Sequence, residues 1–303
     1  MAKFAVAGIV QVETIVRVED IPVRYSPVTN MPDTVFTYVG GDAYNERVAL
    51  KALGDEVEFF SMVGKQDLRG ILWDEDFMGD GDFVLPVLES TPTAVILYDK
   101  KRQQQIFEDI KDMRDAEFNL SLFKEKIKDA DAVVLANANF CRPLAAAAKE
   151  AGKLLAVNFR GFTEEKMQYN EDFFELADII YVSDDNIVGS ADEFVRKLAD
   201  NYSAKIIILG QGAAGLTIFS REDELLAHYK PVKTNEIVNT SGAGNSLFSC
   251  FLHCYVSTGD AVHAVKKALL FASYKIGFMG TSVGFLKEEE LEHWYRLIWG
   301  AGK

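Results

Sequence analysis

Residues 132–158 read AVVLANANFCRPLAAAAKEAGKLLAVN. An apolar run at 132–136 leads into a helix-like segment at 143–151, and a second apolar run follows at 154–158. Short runs without polar alternation mark strands covered on both faces. The same rhythm continues outward. IIYV at 179–182 and KIIIL at 205–209 are further runs, with helix-like segments near 117–129, 170–177 and 190–202. This βα alternation predicts a parallel sheet with helices on both faces. KFAVAGIV at 3–10 supplies the first strand. The last third predicts strands at 215–220 and 225–230, a glycine-rich turn at 239–245, and helices near 246–257, 260–278 and 287–298.

Segments 11–18, 34–39, 93–98 and 104–108 read differently. They alternate β-branched or aromatic residues with polar ones, as half-exposed strands do. They cannot all join a sheet covered on both faces, so a small β lid beside the α/β body is expected. The 303 residues contain no internal repeat, and apolar and charged residues make up 49% and 26%. That is an ordinary globular composition. Lys and Arg total 32 against 46 Asp and Glu, a net charge of −14. Such a surface repels phosphate backbones and anionic lipid, so nucleic acid and membrane are excluded as expected partners. No apolar stretch reaches the roughly 18 residues of a membrane helix. The three cysteines fit free thiols in a reducing compartment, and a cytoplasmic location is expected.

Three stretches can carry chemistry. Asn239-Thr-Ser-Gly-Ala-Gly-Asn245-Ser246 precedes an apolar helix. Gly242 and Gly244 permit close approach, and a helix N-terminus offers N–H groups to an anion such as phosphate. The spacing alone fits an ordinary glycine-rich helix start equally well. Gly210-Gln-Gly-Ala-Ala-Gly215 matches G-x-G-x-x-G, the dinucleotide fingerprint. That fingerprint needs a helix next, whereas Leu216-Thr-Ile-Phe219 reads as a strand. A hairpin is expected there, and a nicotinamide oxidoreductase is disfavoured. A Walker-type phosphate loop is absent from the sequence. Gly40-Gly41-Asp-Ala-Tyr-Asn45 opens an amphipathic helix. On its own it reads as a helix start, with Asn45 able to donate to and accept from a sugar hydroxyl. Cys250 and Cys254 share a helix face without zinc-like spacing and are expected as buried thiols. The acidic run Glu108, Asp109, Asp112 and Asp115 reads as a solvated lid edge.

In this order, Gly8 with Gln11 and Glu13, Gly40-Gly41 with Asn45, Val63-Gly64 with Asp67-Leu-Arg-Gly70, Leu209-Gly210 with Gly212, and Asn239 to Asn245 resemble the ribokinase-type (PfkB) carbohydrate kinase family over nearly the whole chain. Arg102-Gln-Gln-Gln-Ile-Phe-Glu-Asp-Ile-Lys-Asp112 looks like that family's second lid hairpin. The resemblance implies a three-layer α/β sandwich over residues 1–303 as a single domain. A central, mostly parallel sheet would carry lid strands inserted at about 11–39 and 93–108. It implies transfer of the γ-phosphoryl group of ATP, with Mg²⁺, to a hydroxyl of a small sugar or sugar-like substrate. It also implies a homodimer formed through the lid. Carried over by position, the phosphates fall at Gly242, Ala243 and Gly244, with Gly212 beside the nucleotide. The sugar falls at Glu13, Gly41 and Asn45, with Arg102 and Arg160 as further contacts.

The chain departs from the family pattern at four places. The terminal motif ends in Asn245, where the family has the Asp that serves as general base. An amide hydrogen-bonds a hydroxyl but does not take its proton. After the strand at 179–182 the chain reads Ser183-Asp-Asp-Asn-Ile187, with Ile at the family's phosphate- and metal-organising Glu. Asp184 or Asp185 would then be the metal candidates. Glu13 stands for a sugar-holding Asp, and Asn158 stands where many relatives carry Asp. Two functions follow: a carbohydrate kinase weakened at its base, or a pseudokinase that binds sugar or nucleotide without turnover.

Overall fold

Strand β1 (Lys3–Ala7) shows why a central sheet forms. Phe4 and Val6 point into one apolar core, while Ala5 and Ala7 point into another. All four are fully buried. The same split recurs in β8 (Ala132–Ala136) and β11 (Ile206–Gly210). A strand buried on both faces needs a helix layer on each, and the computed structural model has both. It describes residues 1–27, 29–66, 79–184, 187 and 189–300. The Asp67-Leu-Arg-Gly70 motif and Asp185 lie outside the described residues.

The large sheet has nine strands in the order β13-β12-β11-β10-β9-β8-β1-β4-β5. Besides those named, they are β4 (Glu56–Gly64), β5 (Asp82–Leu88), β9 (Leu154–Phe159), β10 (Ile179–Ser183), β12 (Leu216–Ser220) and β13 (Leu225–Tyr229). Pairing is parallel from β5 to β11, and β12 and β13 close that side antiparallel. Helices α1 (Asp42–Ala52), α6 (Ala243–Thr258) and α7 (Ala261–Lys275) bury residues in one core. Helices α2 (Leu120–Lys126), α3 (Arg142–Glu150), α4 (Glu171–Leu176) and α5 (Ala191–Asn201) bury theirs in the other. Helix α8 (Glu288–Trp299) ends the described chain against α7. The α/β class and the mostly parallel sheet agree with the sequence reading. The hairpin after Gly210 is also present: β11 and β12 pair antiparallel, joined through a single 3-10 turn at Gly212–Ala214 rather than an α-helix.

A second sheet has the order β3-β2-β6-β7. Its strands are β2 (Gln11–Arg17), β3 (Val35–Gly40), β6 (Thr93–Tyr98) and β7 (Gln104–Asp109). Its inner face carries Ile15, Ile96 and Tyr98, which pack with Tyr38 and Met279. Ile96 is thus covered by the protein's own body. Val35, Val95 and Phe107 are open on the other face, exposed by 62%, 40% and 54%, while Ile106, beside Ile96 on the inner face of β7, is 48% exposed.

Candidate active site

The parallel strands end on one side, where ligands of open α/β sheets bind. Gly8, Asn137, Arg160, Asp184 and Gly210 close or follow β1, β8, β9, β10 and β11 there. Helix α1 starts at the same edge because Gly41 allows the turn. Its φ is +107°, and a Cβ on it would lie 2.4 Å from the Ile9 carbonyl oxygen. This close approach lets the Gly41 N–H donate to Glu13 Oε1 at 3.0 Å. Glu13 Oε1 also accepts from Gln11 Nε2 at 2.9 Å, and Oε2 accepts from the Thr281 hydroxyl at 2.6 Å. Asp42 caps the neighbouring backbone, accepting from the Ile9 and Ala43 N–H groups.

The first turns of α1 carry Asn45 and Glu46, both buried. Glu46 Oε1 accepts from Asn158 Nδ2 at 2.7 Å, and the same amide donates to Asn245 Oδ1 at 3.0 Å. The Asn245 acceptor is therefore committed to Asn158, and its NH₂ is the remaining polar end. Burial, reinforced by the charge of Asp42, pushes the Glu46 carboxyl up to about 8. Three buried oxygens here have no hydrogen-bond partner: Gln11 Oε1, Asn45 Oδ1 and Glu46 Oε2. Buried polar atoms without partners are uncommon and costly. A ligand rich in hydroxyl groups would satisfy them.

Arg160 pairs with Glu108 Oε1 at 2.6 Å. Burial works against the guanidinium charge, but Glu108, Asp42 and Glu13 outweigh it. Burial raises the Glu108 carboxyl, which Arg160 opposes. Glu108 remains exposed on the lid edge, yet its carboxylate borders the site through Arg160. It faces the site from β7. Arg102 is not brought to this cluster. It lies exposed in the β6–β7 turn with a φ of +68°. Two residues on, Gln104 does reach the site. Its amide bonds the Thr240 hydroxyl, and its Oε1 accepts from the Ser241 hydroxyl at 3.1 Å. The lid is thereby pinned to the glycine-rich turn.

That turn starts α6. Gly242 is its N-cap in the left-handed region, φ +78°, and a Cβ there would lie 2.5 Å from the Thr281 carbonyl oxygen. The Ala243 N–H is taken by Thr240 O at 3.2 Å. Gly244 and Asn245 follow in the first turn, where N–H groups have no intrahelical acceptor. With the positive end of a 16-residue helix behind them, they suit phosphate. Gly244 is glycine for a second reason. Its Cβ would fall 2.8 Å from the Tyr181 hydroxyl, and that of Gly210 only 2.4 Å from it. Tyr181 stacks on Phe248 at 5.3 Å and fills the gap between the two loops. Gly212 stands in a short turn with open space where its side chain would be.

Sequence reasoning did not find Gln104, Tyr181 or Glu46. Each acts through residues distant in the chain, and only the glycines opposite Tyr181 hint at it. Among the described residues no group of three or more His, Cys, Asp or Glu converges as a metal site. Cys141, Cys250 and Cys254 are buried free thiols.

A family model described as pfkB family carbohydrate kinase matches residues 1–288, and the chain belongs to that family. It is 34% identical over 113 residues to a deoxyribokinase of Salmonella typhi, covering 37% of this chain and 34% of that one. The chain thus spans about a third of that curated relative. It is 22% identical over 247 residues to fructosamine kinase FrlD of Bacillus subtilis (strain 168), covering 80% of this chain and 85% of the relative. Among solved structures, the microbiome-derived acarbose kinase Mak1 superposes with a TM-score of 0.83 at 24% identity, covering 97% of this chain and 99% of that one. Arabidopsis thaliana ribokinase with ribose and ATP gives 0.79 at 17% identity, covering 97% and 99%. Kinases of this family use ATP, with Mg²⁺ generally accompanying it.

Proposed function

We propose that the protein transfers the γ-phosphoryl group of ATP to a hydroxyl of a small, neutral, sugar-like substrate, slowly because Asn245 replaces the base. The observation that carries this is the Glu46–Asn158–Asn245 chain. It joins a pocket of unpartnered buried oxygens to a glycine turn suited to phosphate. In this reading Gly244 and Asn245 hold the phosphates through their amides, and Gly212 borders the nucleotide. Glu13, Gly41, Asn45 and Arg160 shape the sugar side. Glu13 acts chiefly as a brace, since both its oxygens are already engaged. Mg²⁺ is held chiefly by the nucleotide's phosphates and water, where it neutralises charge developing in transfer. Asp184 and Asp185, next after β10 in the sequence, are the candidate carboxylates for orienting that hydration shell. Asn245 can donate its NH₂ to the accepting hydroxyl, which orients the oxygen but removes no proton.

The same feature favours a second reading, a pseudokinase that binds sugar and nucleotide without turnover. A phosphorylation screen over sugars and sugar derivatives, run with this chain and with Asn245→Asp, separates the two. Product from either protein supports the kinase scaffold. Binding without product from both supports the pseudokinase. No nucleotide binding up to millimolar ATP with Mg²⁺ and candidate sugars present would count against both.

The outer lid face adds a partner. Val35, Val95 and Phe107 are exposed together on a four-stranded sheet, and a second copy of the chain is the proposed cover.

A further inference from the structure

Lys275 is the last residue of α7 and is fully buried. Its Nζ donates to the Ser241 carbonyl and, at 2.6 Å, to the Gly280 carbonyl. Among the described residues it pairs with no carboxylate at ion-pair distance. A buried ammonium without a counter-ion is costly, and a fold seldom keeps one for stability alone. The two carbonyls it holds belong to the two segments that build the phosphate turn. Ser241 immediately precedes Gly242, and its hydroxyl reaches Gln104 of the lid. Gly280 immediately precedes Thr281, whose hydroxyl holds Glu13 and whose backbone packs against Gly242. One ammonium therefore ties the turn, the sugar-side brace and the lid contact together from beneath.

We propose that Lys275 is the positioning residue of the phosphate site: it locks the 239–244 turn against residues 280–281 and supplies positive charge under the anion. The phosphate half of this rests on the kinase reading; the lock does not. The cation sits at the C-terminal, negative end of α7, which favours it. Phosphate would meet the N-terminal, positive end of α6. Burial pulls the Lys275 ammonium down to about 7, opposed by Glu13, the charged group that faces it. Even the neutral amine keeps N–H donors for both carbonyls, so the lock and the charge are separable.

The test uses the full chain and Lys275→Met, which keeps the length and removes donors and charge, with Lys275→Ala as second variant. Hydrogen exchange of the 241–245 and 280–282 amides is read without nucleotide, and ATP affinity by calorimetry with Mg²⁺. Lys275→Met is expected to melt cooperatively, to exchange faster at both segments, and to bind ATP at least ~10-fold more weakly, the scale of a lost charge-assisted hydrogen bond. In Lys275→Ala, added methylammonium is expected to restore protection and affinity together, which a general packing defect would not allow. If neither variant folds, a pH series on the unsubstituted chain decides. Raising pH through 7 should weaken ATP binding while protection of the turn persists, and unchanged affinity would overturn the charge role. Unaltered exchange and ATP affinity in Lys275→Met would overturn the proposal. Failure of the unsubstituted chain to bind ATP would overturn the kinase reading and the phosphate half with it. The exchange data would still decide the lock.

Discussion

At the residue scale, Asn245→Asp separates positioning from proton transfer. Asn158 Nδ2 already faces position 245 at 3.0 Å and can donate to a carboxylate as it does to the amide. The substitution should therefore leave sugar KM nearly unchanged and raise kcat by at least about 10²-fold, the scale of a restored base. Brisk turnover by the Asn245 protein would mean that another group removes the proton. Gly41 offers a test of stability. Gly41→Ala meets both a φ of +107° and a Cβ 2.4 Å from the Ile9 oxygen, whereas Gly54→Ala meets a φ of +90° in open space. Strain alone costs roughly 1–3 kcal/mol. Gly41→Ala should lower the Tm clearly more than Gly54→Ala, and equal losses would show that the collision is relieved. Gly41, Asn45 and Asn245 stood out in the sequence because they fall in glycine-marked helix starts, and the family resemblance supplied the roles expected of them. Gln104 and Lys275 were not. A glutamine in a lid strand and a lysine at a helix C-terminus both have ordinary local readings, and their roles arise only when the sheet brings residues 241 and 280 to them.

At the element scale, three helices and a strand edge meet at His253 of α6. Its Nδ1 lies 2.6 Å from Asp55, before β4, and its Nε2 lies 3.0 Å from Glu288 of α8. Lys267 of α7 pairs with Glu288 and Glu292. Burial lowers the affinity of His253 for its proton, but the two carboxylates win and push it from 6.5 to about 10. Because the folded value is the higher, the contribution to stability is complete below pH 6.5 and is lost as pH rises towards 10. The Tm gap between the unsubstituted chain and His253→Asn should be widest below pH 6.5 and close steadily by pH 10. Glu46 and Lys275 also titrate in that range, but they are common to both proteins and cancel in the gap. A gap independent of pH would mean that His253 acts as a neutral packing residue. Elements differed in legibility for a related reason. The βα rhythm from residue 132 onward is local and periodic, so β8 to β11 stood out. The edge strand β5 carries Pro86 and alternates poorly, as edge strands with proline do. Its place is set by pairing with β4 rather than by its own pattern.

At the scale of the whole molecule, the lid presents opposite faces to different tasks. The register places Val95 beside Phe107 on β7 and beside Thr14 on β2, and places Val16 beside Val35. These side chains alternate with Ile15, Ile96 and Tyr98, which turn towards the body. The outer face is thus apolar at its centre, and β7 leaves an edge unpaired. A stable interface needs about 800 Å² from each partner, a scale that a face spanning four strands can approach. A second copy seated there would cover Phe107 without touching Asn158, Asn245 or the 242–244 turn of its own chain. The unsubstituted protein should therefore run in light scattering at twice its 33.8 kDa. Phe107→Glu, which buries a charge in the proposed interface, should shift it to the single-chain mass at micromolar concentration. Because Phe107 points away from the body, ATP affinity of the single chain should stay within about twofold of the parent if the turn is held from within. A 33.8 kDa particle for the unsubstituted chain at every concentration would remove the dimer. A Phe107→Glu protein that becomes a single chain and also loses ATP binding would instead show that pairing of the lids, through Gln104 and Ser241, is what holds the phosphate turn in place.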